Sequence, residues 1–150
     1  MLALVENRFH FILNYVYIQE HLKEAKIKLN RLQKVMFSVG NVMTIKQNYD
    51  VLRVAKKLQS IVENEPRRFY EAEQFYYSHL DSIVELTEKY AFLTKQPVKT
   101  KEIQDSLNET RATISEMVEM IQQDLFRLLS NDMDELRVEL DVAKQNIDKN

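Results

Sequence analysis

Apolar residues recur near the start of the chain in alternating steps of four and three, the spacing of one buried helix face in a bundle. The apolar positions are Ile18, Leu22, Ala25, Leu29, Leu32, Met36 and Val39. The same spacing extends back through Tyr15, Phe11 and Leu4. Gly40 follows, as is common just past the end of a helix. The pattern therefore predicts a first helix over residues 4–39.

Two further helices are predicted on either side of Pro66. The second spans residues 44–64, with Thr44 as its N-cap. Its apolar positions are Ile45, Tyr49, Leu52, Ala55, Leu58 and Ile61/Val62. Proline disfavours helical geometry in the residue before it and suits the first turn of the next helix, so the third helix is predicted over residues 66–95. Its apolar face contains Phe69, Ala72, Tyr76, His79, Ile83, Leu86, Tyr90 and Leu93.

The last predicted helix spans residues 100–147, with Thr100 as its N-cap. Its apolar positions are Ile103, Leu107, Thr110, Ile114, Val118, Ile121, Leu125, Leu129, Met133, Leu136, Leu140, Ala143 and Ile147. The steps from Ile121 to Met133 are all of four residues, a stutter that locally relaxes supercoiling. The sequence Ser130-Asn131-Asp132 is an alternative start for a separate fifth helix. We favour one continuous helix.

These elements predict a single all-α domain over residues 1–150, an elongated up-down-up-down antiparallel bundle of four helices. One glycine and two prolines in the chain leave little punctuation for sheets or hairpins. Because the last helix is much longer than the middle two, we expect its final third to project past the Pro66 end of the bundle. A short antiparallel stalk is expected there, formed by Leu4, Phe11 and Tyr15 with Met133, Leu136 and Leu140.

Charge is unevenly distributed along the chain. Residues 1–64 contain ten Lys/Arg and five Asp/Glu, whereas residues 65–150 contain eleven and eighteen. We expect the early helices to pack against the later ones with interleaved charges, although both sets also fit simple solvated faces. With a pI near 6.0 and no exposed aromatic residues interleaved with the lysines, nucleic acid is not an expected partner.

No catalytic or ligand-binding signature is present in the sequence. It contains no cysteine, phosphate loop, nucleophile elbow or HExxH motif. We therefore predict no catalytic residue, metal ligand or cofactor. His79 lies near Asp81, Glu85 and Glu88, but at 100° per residue these acids point away from the apolar face. A core or boundary histidine with solvated acids is favoured over a metal site.

The first turn of the third helix is the candidate binding site. Arg67 and Arg68 are unfavourable beside the positive end of the helix dipole, yet with free backbone N–H groups they suit a phosphate or carboxylate. Tyr70 adds a hydroxyl. The favoured alternative is that the arginines pair with Glu63, Glu65, Glu71 or acids of the last helix. Tyr70 and Tyr77 share a flank, and both are candidate partner contacts if exposed.

Several segments together resemble the XpaC-like family, also called the 5-bromo-4-chloroindolyl phosphate hydrolysis family, which occurs mostly in Gram-positive bacteria. The segments are NEPRRFYEAEQFYYSHLDSIVELTEKYAFLTKQPVK, SLNETRATISEM, DLFRLLSNDMDEL and ELDVAKQNI. The resemblance runs from about Tyr17 onward and is most specific in Pro-Arg-Arg-Phe-Tyr and Glu-Lys-Tyr-Ala. Members usually begin with hydrophobic membrane segments, which this chain lacks.

The resemblance implies a cytoplasmic helical domain, at the inner face of the cell membrane through segments that this chain does not contain. It also implies a TelA-like toxic-anion-resistance protein as a partner. We expect a non-enzymatic scaffold that binds a protein partner or self-associates. The rival functions are hydrolysis of a phosphate ester and binding of a small anion without turnover, both at Arg67, Arg68 and Tyr70.

Overall fold

The computed structural model describes residues 2–38 and 45–149, with side chains in the second helix described from Asp50 onward. Within these ranges the chain is helical and contains no strand, which confirms the all-α prediction. The α-helices are α1 (Leu2–Ser38), α2 (Ile45–Asn64), α3 (Leu80–Thr94) and α4 (Lys101–Asp148). A 3₁₀ segment (Pro66–Ala72) and a π turn (Phe75–His79) precede α3. The predicted helix end at Gly40 and the cap at Thr44 lie outside the described residues.

The helices alternate in direction, but their neighbours differ from those of a simple up-and-down bundle. The body of α3 packs on α1 and α4, and α2 packs on α1 and α4, so that α1 and α4 lie diagonally across the bundle. Contacts from Lys28 to Asp81 and from Arg31 to Glu88 show that α1 and α3 run parallel. Helix α2 and the body of α3 are consecutive in the chain but lie diagonally across the bundle rather than side by side.

The core follows the predicted apolar positions closely in α1. All six predicted apolar residues from Ile18 to Met36, which form the seam of α1, are buried, and the opposite polar face of the helix lies in solvent. Burying one stripe of each helix is the main source of bundle stability. The described core residues of α2 are Val51, Leu52, Ala55, Leu58 and Val62.

The predicted third helix is interrupted in its first half. Backbone hydrogen bonding is of the 3₁₀ type from Pro66 to Ala72 and of the π type from Phe75 to His79. The π turn places Phe75, Tyr76 and His79 in the interior together. This short segment therefore packs against several neighbours at once, and π turns of this kind are frequent at functional sites.

The last helix is continuous across Ser130, as predicted, and begins with a cap at Thr100. The Thr100 hydroxyl accepts a hydrogen bond from the Ile103 N–H at 3.2 Å. The predicted stutter is wrong in detail. The inward face of α4 runs through Ile121, Asp124 and Leu128, which are buried. Leu125 and Leu129 lie beside this face and are half-buried.

Two segments extend beyond the bundle at the Pro66 end. We call residues 2–13 the α1 arm and residues 133–148 the α4 arm; every residue in both is exposed. Leu4 and Leu136 expose 68% and 58% of their surface to solvent. The predicted stalk, in which these residues pair within one chain, is therefore wrong. The arms start from opposite corners of the bundle, which holds them apart. Among residues 2–38 and 45–149, no helix has the length and hydropathy required to cross a bilayer.

Candidate functional site

The corner where α2 meets Pro66 lies beside α1 and forms an open groove of about 470 Å³. Its residues are Phe11, Asn14, Tyr15, Ile18, Asn64, Glu65, Pro66 and Arg67. The chain turns sharply here because Glu65, held in a non-helical conformation before the proline, ends α2. The groove thus combines an apolar wall from α1 with a polar rim from the corner.

The structure separates the two arginines of the predicted site. Arg67 keeps 85% of its side chain in solvent and pairs with the Glu65 carboxylate at 3.3 Å. Arg68 is largely covered, and its guanidinium lies 2.5 Å from Asp132 Oδ2 and 3.6 Å from Glu65. The carboxylate of Asp132 raises the pKa of Arg68 against the opposing effect of burial. Arg68 therefore joins the 3₁₀ segment to α4, and Arg67 is the cation that remains accessible to a ligand.

Tyr70 and Tyr77 both face α1. The Tyr70 hydroxyl donates to Asn14 Oδ1 at 2.5 Å, and the hydroxyls of Tyr77 and Tyr17 lie 2.7 Å apart. The pKa of Tyr77 is raised mainly by burial and, to a smaller extent, by the hydrogen bond with Tyr17. Both rings remain nearly half exposed, at 46% and 43%. Their hydroxyls make exposed hydrogen bonds with α1, while their use as partner contacts stays a prediction.

A buried acid–histidine pair lies deeper in the bundle. His79 Nδ1 is 2.5 Å from Asp124 Oδ2, and the two residues are 6% and 2% exposed. Burial raises the pKa of Asp124, opposed by His79 and by Arg127, whose guanidinium is 3.6 Å from the second carboxylate oxygen. The pair is enclosed, so a substrate cannot reach it without opening the bundle.

His79 is a core residue, as the sequence indicated, but its partner was missed. Asp124 was overlooked because a carboxylate on a helix is ordinarily solvent-facing. Its spacing of three from Ile121 and four from Leu128 was the available signal. In the described ranges no group of three His, Asp or Glu side chains is arranged to hold a metal ion.

The acids Asp81, Glu85 and Glu88 are also not simply solvated. Asp81 binds Lys28 at 2.6 Å, and Glu85 and Glu88 both contact Arg31. These pairs match the interleaving of a basic early helix with an acidic later one that the charge distribution suggested. They contribute to the α1–α3 contact rather than to a ligand site.

An aromatic cluster connects the corner with the buried pair. Phe69 is fully buried at its centre, with ring centroids of His21 at 5.4 Å and Tyr76 at 4.8 Å. The ring of His21 also lies 5.3 Å from that of Tyr77. Edge-to-face and tilted contacts of this kind stabilise a core beyond simple burial. The cluster fixes the position of the Pro66–Ala72 segment and hence of Arg67.

Comparison with known proteins places this architecture in a family. The family model described as 5-bromo-4-chloroindolyl phosphate hydrolysis protein matches residues 13–143. The chain is similar to Protein XpaC of Bacillus subtilis (strain 168), with 44% identity over 135 residues. That alignment covers 90% of this chain but 66% of the length of the relative. No solved structure matches the chain. With the family model matching most of its length, the chain belongs to the 5-bromo-4-chloroindolyl phosphate hydrolysis protein family.

Proposed function

We propose that the chain is a non-enzymatic interaction module that binds protein through its two projecting arms. The observation that carries the proposal is the exposed apolar surface of the arms. Phe9 and Phe11 on the α1 arm expose 61% and 73% of their surface, and Leu136 on the α4 arm exposes 58%. Contiguous apolar surface of more than a few hundred Å² is rare on soluble monomers and marks interaction sites.

The enclosed interior supports the same proposal. The His79–Asp124 pair, which is the most chemically distinctive cluster in the described structure, is shut off from solvent. The exposed apolar residues instead lie at one end of an elongated bundle, where a partner meets no steric obstacle. Recognition by apolar helix faces is a common mode of protein–protein binding.

A TelA-like toxic-anion-resistance protein is the partner that the family resemblance indicates, and the inner face of a bacterial membrane is the corresponding location. We include both in the proposal. Membrane attachment would require segments other than the described helices, since none of those meets the requirements for a span. The arms would then present the apolar surface to a second protein.

Site-specific photocrosslinking tests the proposal in cells. A photoreactive residue at Phe11 or Leu136 should give covalent adducts with protein, because both side chains lie on the arms. The same residue at Phe126, which is 62% exposed on the bundle part of α4, is the matched control. Purified TelA-like protein should bind wild type and lose affinity for a Phe11→Glu/Leu136→Glu variant. Equal adduct yields at all three positions would contradict the proposal.

Hydrolysis of a phosphate ester is the second candidate, favoured by the family description and by the groove. An indolyl phosphate has an apolar ring and a dianionic group, and the groove places an exposed guanidinium beside an apolar wall. Phosphoryl transfer, however, requires several groups that stabilise the transferred oxygens. Arg67 is the one accessible cation among the groove residues, so this function ranks second. The same geometry also allows an anion to bind without turnover.

A direct assay separates the candidates. Purified protein is incubated with 5-bromo-4-chloroindolyl phosphate, with and without divalent metals. If the groove is a hydrolytic site, Arg67→Ala abolishes turnover and Arg137→Ala, which removes an arginine of 72% exposure on the α4 arm, does not. No turnover in wild type under any metal condition would eliminate hydrolysis, and phosphate binding at Arg67 is then measured separately.

A further inference from the structure

The arms continue the buried faces of the helices that carry them. Eighteen residues are five full turns of an α-helix, so residues eighteen apart point the same way. Leu4 and Phe11 precede the buried Leu22 and Leu29 by this interval, and Leu136 follows the buried Val118 by it. Leu4, Phe11 and Leu136 therefore extend the core direction of the bundle beyond its end.

The arms occupy two of the four positions of the bundle at this end. Helix α2 ends at Asn64 and the next segment begins at Pro66, while α1 and α4 continue past this level. Since α1 and α4 are diagonal in the bundle, the two vacant positions between them are also diagonal. Two more helices would enclose the apolar faces of both arms.

A second copy supplies helices of the required kind. A two-fold axis perpendicular to the bundle, placed level with the arms, brings the arms of the second copy into the vacant positions. Each arm then has one antiparallel and one parallel neighbour, the same mixture that α1 has with α2 and α3 inside the bundle. The contact is self-complementary, as a two-fold interface must be.

The charges and size of the surface favour this occupant over a lipid surface. The α4 arm has five Asp/Glu against Arg137 and Lys144, which opposes anionic headgroups. In the two-fold arrangement its acids approach Arg8 and the exposed Arg67 of the other copy. Phe11, exposed by 73%, alone offers roughly 150 Å² at ~200 Å² per aromatic side chain. Leu4, Leu136 and Val142, which align with the buried Leu22, Val118 and Asp124, add to this area, and a stable interface buries ~800 Å² per copy.

We propose that two copies of the chain associate end to end through the α1 and α4 arms, which together complete a second four-helix core. This inference rests on the proposed interaction function and identifies a second copy as the partner. The groove at the Pro66 corner lies at the end of this core. There it receives the tip of an arm of the other copy.

Light scattering on the full chain tests the association. Wild type should have about twice the chain mass of 17.9 kDa at micromolar concentration. Leu4→Glu/Phe11→Glu and Leu136→Glu/Leu140→Glu should each weaken association at least tenfold. Phe92→Glu and Phe126→Glu change residues that are 67% and 62% exposed away from the arms, and should leave the mass unchanged. Circular dichroism verifies that the helical content of each variant is retained.

Disulfide crosslinking tests the end-to-end geometry. The chain has no cysteine, so a Leu4→Cys/Arg67→Cys variant contains no thiol other than the two introduced ones. Within one chain Leu4 is roughly 15 Å along α1 from Asn14, which is level with the corner, and a disulfide requires Cα atoms within ~7 Å. In the dimer the tip of the α1 arm reaches the corner of the other copy. A covalent dimer should therefore form on oxidation, and a Leu4→Cys/Phe92→Cys control should give none.

The outcomes distinguish this inference from the proposed function. A monomeric wild type, or arm variants that dimerise like wild type, would overturn the end-to-end association. If wild type is monomeric but photocrosslinks a different protein through Phe11, the interaction function stands and the second copy is the wrong partner. If the arms crosslink to neither protein, both proposals fail. Binding to anionic vesicles that Phe11→Glu abolishes, with a monomeric wild type, would instead assign the arms to a membrane.

Discussion

Asp124 Oδ2 lies 2.5 Å from Nδ1 of His79, and the two side chains meet inside the bundle where the π turn passes into α3. Neither residue can be read as a ligand for an external molecule in this position. The pair instead joins the π turn to α4 across the core. Buried pairs of this kind are costly to break and less costly to replace as a unit.

We expect strong coupling between His79 and Asp124 in a double-mutant cycle. Asp124→Leu and His79→Leu should each lower the free energy of unfolding by about 3 kcal/mol, because each leaves a buried polar partner unsatisfied. The double substitution should cost less than the sum of the two. Urea denaturation measures all four proteins. Additive effects would show that the two residues contribute independently.

The pH dependence of stability should reveal the buried carboxyl. Burial raises the pKa of Asp124 in the folded protein above its ordinary value of 3.8. Folding then favours the protonated carboxyl. The stability that this preference adds is fully present below pH 3.8 and is lost as the pH rises through the pKa of Asp124 in the folded protein. We expect the stability of wild type relative to Asp124→Asn to fall as the pH rises above 3.8, until the carboxyl is ionised in the folded protein as well. A difference that is constant, or rises with pH, would contradict the assignment.

A second buried network centres on Gln59. The Tyr76 hydroxyl donates to Gln59 Oε1 at 2.8 Å, and Gln59 Nε2 donates to the Leu22 carbonyl at 2.9 Å. Tyr76→Phe should reduce the free energy of unfolding by about 1–2 kcal/mol, since it leaves the Gln59 oxygen without a donor. Tyr77→Phe removes a half-exposed hydroxyl and is the matched control, with an expected loss below about 0.5 kcal/mol. Thermal and urea denaturation should rank the two variants in this order.

The neighbouring arginines of the corner should differ sharply. Arg68→Ala removes a covered guanidinium from Asp132 and is expected to cost about 1 kcal/mol, a value limited by the 46% exposure of the acid. Arg67→Ala should cost less than about 0.3 kcal/mol, because its side chain is in solvent. Hydrogen exchange at the base of the α4 arm should increase only for Arg68→Ala. Equal losses would mean that Arg67 has a structural role.

The sequence was sufficient to predict the fold class and the seam of α1, because each depends on one-sided burial with helical spacing. It was not sufficient for the order of helices around the bundle. That order depends on contacts between residues far apart in the chain, such as Lys28 with Asp81, and the 3₁₀ and π turns after Pro66 have no distinctive local pattern either. Asp124 was missed for a related reason: a buried carboxylate becomes favourable only through a histidine forty-five positions away.

The parallel packing of α1 and α3 gives a final prediction about charge. Arg31 forms a bidentate contact with Glu88 and lies 3.6 Å from Glu85, so one basic residue is balanced by two acids. Arg31→Glu should lower stability by about 1 kcal/mol at low salt, because three carboxylates then share a partly exposed site.

Substituting both acids should reverse this loss. Glu85→Lys/Glu88→Lys in the Arg31→Glu background restores opposite charges at the same positions, and the free energy of unfolding should recover most of the difference. High salt should shrink both effects, since exposed charges are screened. Lys26→Glu, which changes an exposed side chain on α1, provides the control for a general charge effect. If Lys26→Glu destabilises as much as Arg31→Glu, net charge rather than the α1–α3 contact determines the response.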